Sequence, residues 1–362
     1  MHEILVLGAG HIGTLVATLL ALTGDYRVHL ADAKSKPLPE SLQNQFKMPI
    51  ECTVLDIDND ANIDEYVKRF YLTAVISCLP YFCNPTVATI AKRHHLHYFD
   101  LTEDIQVTQQ INQIAKGQKI AFVPQCGLAP GFVSIAAQEL MSHFDTVQTV
   151  AMRVGALPVH PNNILKYALT WSTDGLINQC SNIGYGILNS KIQPLQPLEG
   201  LETIDIDGAL YEAFNTSGGI GTLANTHEGH VEQMTYKSLR YPEHCRYLKF
   251  LMQDLGLNQD RALLKEILER ALPKTAEDVA VIYIVVTGQQ RGQYREESYV
   301  RKIYSQMLAQ MPWTAIQITT ASSVCAVVDM VLDHPENYHG VILQEQFSLT
   351  AFLNNRFGKI YQ

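Results

Sequence analysis

Charge is scarce in this chain. Only 17% of its 362 residues are Asp, Glu, Lys or Arg, against about a quarter in an average soluble domain. The shortfall is mostly basic: 27 Lys and Arg stand against 36 Asp and Glu, a formal net charge of −9. No basic run or stripe is present to track a phosphate backbone, so nucleic acid is not an expected partner. Paired cysteines are missing too. Cys52, Cys78, Cys83, Cys126, Cys180, Cys245 and Cys325 are odd in number and contain no Cys-x-x-Cys. That spacing argues against a disulfide framework or a zinc site and suits reduced thiols. No apolar run is read as reaching the roughly 20 residues that cross a bilayer, and Met1-His2-Glu3-Ile4 has no basic leader region. A cytoplasmic protein with no membrane partner is the expectation.

Apolar residues are plentiful, at 47%, over a length that points to two domains. Residues 3–7, 26–31, 52–57, 73–79, 97–101 and 120–124 read as strands, short apolar or β-branched runs bounded by turn residues. Residues 11–22, 61–69 and 85–93 read as helices between them. Such alternation means a parallel sheet covered by helices on both faces, with right-handed crossovers. After Pro130 the rhythm changes. Strand-like segments at 146–156 and 278–288, and a helical stretch at 248–272 broken near Gly256, suggest an α+β domain with a mainly antiparallel sheet. A helix at 320–332 and a tail from Gly340 to Gln362 are expected to return to the first domain. The fold class is α/β: a parallel-sheet domain at 1–130, an α+β domain with a mainly antiparallel sheet at 131–314, and a returning segment at 315–362. An open antiparallel sheet has edges or a face to cover, which makes a homodimer the expected assembly.

Gly8-Ala9-Gly10-His11-Ile12-Gly13 closes the first strand and opens the first helix. The G-x-G-x-x-G spacing alone is weak. Its position after a strand, with a second strand ending on Asp32, makes it specific. Gly8 permits the tight turn, Gly10 lets a pyrophosphate approach the backbone, and Gly13 lets helix and strand close up. The helix N-terminus offers unpaired N–H groups and partial positive charge to phosphates. Asp32 would accept the adenosine ribose hydroxyls and repel a 2′-phosphate, favouring NAD, while Lys34 and Lys36 soften that repulsion and leave NADP open. Ligands sit at the carboxyl ends of strands in such sheets. Ser77, Cys78, Leu79 and Pro80, and the loop at Asp100, Leu101 and Thr102, are therefore expected on the nicotinamide side. Asp56 is expected near the adenine or, equally, as a solvated loop carboxylate.

Further segments follow in order: V-L-G-A-G-H-I-G at 6–13, C-L-P-Y-F-C-N at 78–84, C-G-L-A-P-G-F at 126–132, Y-A-L-T-W-S-T-D-G-L at 167–176, E-A-F-N-T-S-G-G at 212–219 and Y-K-S-L-R-Y at 236–241. Together they resemble the saccharopine dehydrogenase family, which includes the lysine 6-dehydrogenases. The resemblance implies an N-terminal dinucleotide-binding (Rossmann) domain at 1–130, a substrate and dimerisation domain at 131–314 and a C-terminal segment at 315–362 returning to the first, and hydride transfer from an amine-bearing carbon of lysine or an N-substituted lysine to NAD(P), then imine hydrolysis. It implies a larger substrate domain, and often NADP, in the glutamate-forming members. This shorter chain, with Asp32 and F-N-T-S-G-G, looks like the lysine 6-dehydrogenase branch. A non-catalytic dinucleotide sensor on the same fold is the alternative of a different class.

The resemblance places Arg240, Tyr81 and Asp100 at the substrate. A guanidinium suits the carboxylate of an amino acid. Asp100 would hold the ammonium, act as a base, or merely cap a turn. Amine oxidation needs a proton acceptor poised near neutrality, and Lys166 and His244 are candidates. Pro130 and Gly131 are expected as a hinge, and Gly218, Gly219 and Gly221 as a flexible cover. His94, His95 and His97, and the pair His227 and His230, lack the His-Glu-x-x-His spacing of a zinc hydrolase and are read as structural.

Overall fold

The computed structural model describes residues 1–362, the side chains of Ser41 and Asp60 excepted. It divides into two compact units. The first comprises Met1–Phe132, Met307–Met311 and Gln317–Gln362, and the second Val133–Gln306 and Pro312–Ile316.

In the first unit, β1 (His2–Leu7), β2 (Tyr26–Asp32), β3 (Glu51–Val54), β4 (Ala74–Ser77), β5 (His97–Asp100) and β6 (Ala121–Val123) lie in the order 3-2-1-4-5-6. Gly340–Val341 adds a short strand beyond β6, and every neighbouring pair is parallel. The order reverses between β1 and β4, so the loops leaving those two strands flank the crevice where such sheets bind ligands. The first helix, α1 (His11–Thr23), buries Leu15, Val16 and Leu20 and stops at Gly24, which takes a left-handed φ of 77°. Several helices escaped the sequence reading, two of them long. Ile105–Ile114 is capped by the Asp104 carboxylate, which accepts the Val107 N–H, and Phe132–Ser142 begins at the unit boundary.

The helix Ala315–Asp333 corrects two expectations. It starts five residues before position 320, because the buried Asp278 carboxylate accepts the Ala315 and Ile316 N–H groups at its first turn. At 19 residues it is also long and apolar enough to cross a bilayer, by length and composition only. Its burial identifies a core helix. Val324, Val327 and Val328 are fully enclosed, each contributing about 1.5–3 kcal/mol of transfer free energy. Asp329, further along, accepts hydrogen bonds from Tyr26, Asn355 and Arg356. Arg356 also reaches Asp25, which ties the tail to the start of β2. Phe132 stacks on Tyr361 with ring centres 3.8 Å apart.

The second unit carries β7 (Thr146–Pro158), β8 (Gly184–Leu188), β9 (Lys191–Leu195), β10 (Glu202–Ile206), β11 (Ala209–Asn215), β12 (Gln233–Arg240), β13 (Asp278–Gln290) and β14 (Gln293–Tyr304). The sheet order is 10-11-12-7-13-14, with the β8–β9 hairpin on β12. Neighbours are antiparallel except β12 and β7, which run parallel. Alternation on β11 sends Phe214 into one core and Tyr211 and Ala213 into another. Helix Arg261–Ala271 packs Leu264 and Leu268 onto the Phe214 side. The break near Gly256 is real: Gly256 has φ 68°, between a π-helical turn (Phe250–Asp254) and a 3-10 turn (Leu257–Gln259).

Candidate functional site

The glycine turn is built so that three positions bear three different constraints. Gly8 has φ 101°, and a Cβ there would lie 2.8 Å from the Cys78 carbonyl oxygen. A Cβ on Gly13 would lie 1.8 Å from the Gly8 carbonyl oxygen, so α1 rests directly on the strand end. Gly10 is otherwise. A Cβ on it would meet nothing within 4 Å, and it caps α1 with no side-chain hydrogen bond and no acidic residue in the first turn. Bare backbone facing open space, ahead of uncapped N–H groups at His11, Ile12 and Gly13, is what a pyrophosphate requires. These residues fit a dinucleotide.

Asp32 ends β2 and turns its carboxylate to the same loop. Oδ2 accepts the Ala9 N–H at 3.0 Å and the Lys36 ammonium at 2.9 Å, and Oδ1 accepts the Lys34 N–H at 3.1 Å. Partial burial pushes its pKa up, but the hydrogen bonds from Lys36, Lys34 and Ala9 outweigh burial and hold the carboxyl below its ordinary value.

The loop after β4 lies against the glycine turn through Cys78 and Leu79. Ser77 is buried and donates to the Asn84 Oδ1 at 2.7 Å, while Pro80 is exposed. Tyr81, 40% exposed, opens a 3-10 turn (Tyr81–Cys83), its ring edge-on to that of Phe82 at 5.7 Å. Asp56 is exposed, and its Oδ1 accepts the Asp58 N–H, a solvated turn. Asp100 is held as a capping residue. It is wholly enclosed, and its oxygens take the Tyr98 hydroxyl at 2.6 Å and the Thr102 and Gln125 N–H groups at 2.9 and 3.0 Å. Burial pushes its pKa up against those three hydrogen bonds. Asp100 thus braces the loops after β5 and β6, the turn-capping alternative expected of it.

In the second unit, Arg240 ends β12 opposite Glu212 of β11. The two do not pair, because Glu212 accepts the Glu243 and Cys245 N–H groups instead. Arg240 is 5% exposed. Its Nη1 donates to the Leu239 carbonyl at 2.7 Å, its guanidinium lies 5.3 Å from the Tyr167 ring centre, and its Nε has no acceptor. Among the described residues no carboxylate comes within ion-pair distance of it. Tyr167, fully buried, accepts the Trp171 indole N–H at 3.1 Å. Tyr167 and Trp171 were not singled out from sequence, although both lie in the Y-A-L-T-W segment.

Lys166 and His244 fall in the same neighbourhood. Lys166, half-buried, donates to the Pro242 carbonyl at 3.2 Å. His244 Nδ1 donates to the Leu165 carbonyl at 2.8 Å, which leaves Nε2 as an enclosed acceptor with no partner. Burial first, and the Arg240 charge second, push the His244 pKa down to about 3. His244 is therefore neutral across the physiological range and does not titrate near neutrality. Below the ordinary histidine value of about 6.5 the unfolded chain takes up a proton that the fold refuses, so this contribution is whole above that pH and is lost as pH falls. Between pH 6 and 4 the parent should lose stability relative to His244→Gln by about 1.4 kcal/mol per pH unit. Urea titrations of both proteins would measure it, and a flat difference would mean that His244 charges inside the fold.

The glycine-rich segment is less free than expected: a Cβ on Gly219 would fall 2.1 Å from the Tyr236 ring, so that glycine is a packing position. The histidines have local partners. His94 meets Asp64 at 2.6 Å, His97 accepts the Ala121 N–H, and His227 meets Gln138 at 2.8 Å. Among the described residues no group of three His, Cys, Asp or Glu is arranged to hold a metal ion.

Comparison with known proteins adds to this. The saccharopine dehydrogenase NADP binding domain matches residues 4–123, and the saccharopine dehydrogenase C-terminal domain matches residues 127–358. The mitochondrial alpha-aminoadipic semialdehyde synthase of Mus musculus is 23% identical over 196 residues, 52% of this chain and 21% of that protein; the chain thus spans about a fifth of that relative's length. Among solved structures, apo saccharopine dehydrogenase (L-Glu forming) from Saccharomyces cerevisiae has a TM-score of 0.78 at 16% identity, over 100% of this chain and 96% of that one. Homospermidine synthase of Legionella pneumophila in complex with NAD has a TM-score of 0.66 at 14% identity, over 99% and 89%. At these identities the likeness is one of fold.

Proposed function

The chain belongs to the saccharopine dehydrogenase family, and from that premise we propose that it oxidises a carbon–nitrogen bond of lysine or an N-substituted lysine with NAD or NADP. One observation carries the reading to an amino acid: a buried guanidinium, Arg240, with an unfilled Nε–H and no carboxylate among the described residues to neutralise it. Burying a charge without a partner costs several kcal/mol. A substrate carboxylate would supply the missing anion and accept a bidentate pair of hydrogen bonds.

A bound nicotinamide would supply the hydride acceptor for the amine-bearing carbon. The glycine turn and the start of α1 would hold the pyrophosphate, and Asp32 the adenosine ribose. Tyr81, exposed after β4, is proposed on the substrate side. The substrate nitrogen gives up one proton as the C–H bond breaks, and water then adds to the imine carbon to release an aldehyde and an amine. Of the two expected proton carriers, His244 is too weak a base to serve and acts as a neutral acceptor. Lys166 remains the proposed carrier. Direct oxidation of lysine is the first reading, supported by Asp32 and by the F-N-T-S-G-G segment.

The test follows absorbance of the reduced nicotinamide with purified protein, NAD+ or NADP+, and L-lysine or saccharopine. Turnover of lysine is the expected result. Turnover of saccharopine alone would move the substrate to the N-substituted amine. Dinucleotide binding with no turnover of either would overturn the reading and favour a sensor.

A further inference from the structure

We propose that a second copy of this chain pairs antiparallel with the outer edge of β14, with Tyr299 of one copy facing Tyr299 of the other on a two-fold axis. The surface belongs wholly to the second unit and is independent of the reaction proposed above.

β14 is the last strand in the sheet order, and among the described residues no strand pairs with its outer side. It has 12 residues, against five in β10 at the opposite border. Its register with β13 runs unbroken from Gln293 to Tyr304, and it contains no proline. The Ser305 N–H donates to the Asp278 carbonyl. Bonding alternates along an antiparallel pair, so the odd-numbered residues of β14 bond to β13. Tyr294, Glu296, Ser298, Val300, Lys302 and Tyr304 therefore turn their N–H and C=O groups outward. Tyr294 and Tyr304 are 60% and 51% exposed. Edges of this kind are ordinarily kept short, bulged or broken by proline, or else guarded by charge.

β14 relies on charge, and its charge is self-complementary. Glu296 and Glu297 precede Tyr299 by three and two positions, and Lys302 and Arg301 follow it by the same intervals. Pairing about Tyr299 sets Glu297 against the other copy's Arg301, Glu296 against its Lys302 and Tyr294 against its Tyr304. Such cross-strand pairs are stabilising. Every outward residue meets an outward residue, giving about twelve backbone hydrogen bonds. Other registers conflict. An axis at Glu297 or at Arg301 sets that residue against itself, and one at Ser298 sets Arg295 against Arg301. An axis at Val300 leaves all these charges without an opposite. The side chains needed are within reach. Glu297 receives His143 on Oε2, which leaves Oε1. Arg301 is exposed, and its Nη1 donates to the Val300 carbonyl at 2.7 Å, the outward acceptor that Ser298 of a second copy would take. Lys302 is already held by Asp207 at 3.0 Å, so Glu297 and Arg301 carry the sharper test.

Analytical ultracentrifugation of the full chain should show a dimer. Arg301→Glu should weaken it by about ten- to a hundredfold, because two attractive pairs become two repulsive ones. Adding Glu297→Arg to that variant should restore it, since the exchange keeps each cross-copy pair opposite in sign. Tyr299→Cys reports the register. Facing positions that are not hydrogen-bonded lie about 4.5 Å apart between Cα atoms, within disulfide reach. Oxidised glutathione should therefore give a covalent dimer that the parent, with its seven native cysteines, does not form. A parent that stays monomeric, a dimer indifferent to Arg301→Glu, a folded double variant that does not reassociate, or a Tyr299→Cys protein that fails to crosslink overturns the proposal.

Discussion

Arg240→Met should yield a protein that melts higher than its parent and has lost nearly all turnover. The two effects share one cause. In the ligand-free fold the guanidinium is 5% exposed and unpaired, a desolvation penalty of several kcal/mol. Against it stand the contact with the Tyr167 ring, about 1–2 kcal/mol when desolvated, and the hydrogen bond to the Leu239 carbonyl, about 1.5 kcal/mol. Methionine fills much of the same volume without charge, so a net gain of about 1–2 kcal/mol is expected. If the arginine grips substrate, its removal should cost about 3–4 kcal/mol in kcat/KM, a loss of about a hundred- to a thousandfold, with dinucleotide affinity unchanged. Thermal melting of the ligand-free protein separates this from a structural role. A lower melting temperature would mean that the guanidinium supports the fold, and the substrate reading would lose its main observation.

The glycine turn gives the second large effect, as a contrast between neighbours. Gly13→Ala places a methyl 1.8 Å from the Gly8 carbonyl oxygen. Backbone must move to admit it, and a cost above about 3 kcal/mol is expected, beyond ordinary overpacking. Gly10→Ala meets no atom within 4 Å, at a φ of −78° that alanine adopts freely. It should leave stability within about 1 kcal/mol and weaken dinucleotide binding about tenfold or more, since its methyl occupies the space a pyrophosphate needs. Urea melts and cofactor titrations of the two variants measure both. Equal loss of stability in both, or unimpaired binding in Gly10→Ala, would contradict the assignment of Gly10 to the phosphates.

What was legible in the sequence was what is local. Strands of β-branched residues, the glycine spacing and Asp32 at a strand end all depend on neighbours within a few positions, and the parallel sheet follows from their rhythm. The unread parts depend on distant partners. Helix Ala315–Asp333 starts early because of Asp278, a carboxylate 37 positions away in sequence from Ala315. Asp100 sits at the carboxyl end of β5, as a ligand-facing residue would, yet Tyr98 and the Gln125 N–H close around it. Arg240 is left alone because Glu212, its cross-strand neighbour, is taken by the backbone of Glu243 and Cys245. Nothing in the residue order distinguishes that from an ordinary ion pair. Gly219 looks like loop punctuation until the Tyr236 ring is seen to lie on it.

The strand Gly340–Val341 has a consequence for the order of events during synthesis. It pairs with β6 through residues that leave the ribosome only after the whole of Val133–Gln306 has been made. Until then β6 is a bare border of a nascent parallel sheet, its N–H and C=O groups free to recruit a strand from another chain. Three residues long, it offers such a strand little to grip, and that brevity protects the growing polypeptide while it waits for Gly340–Val341.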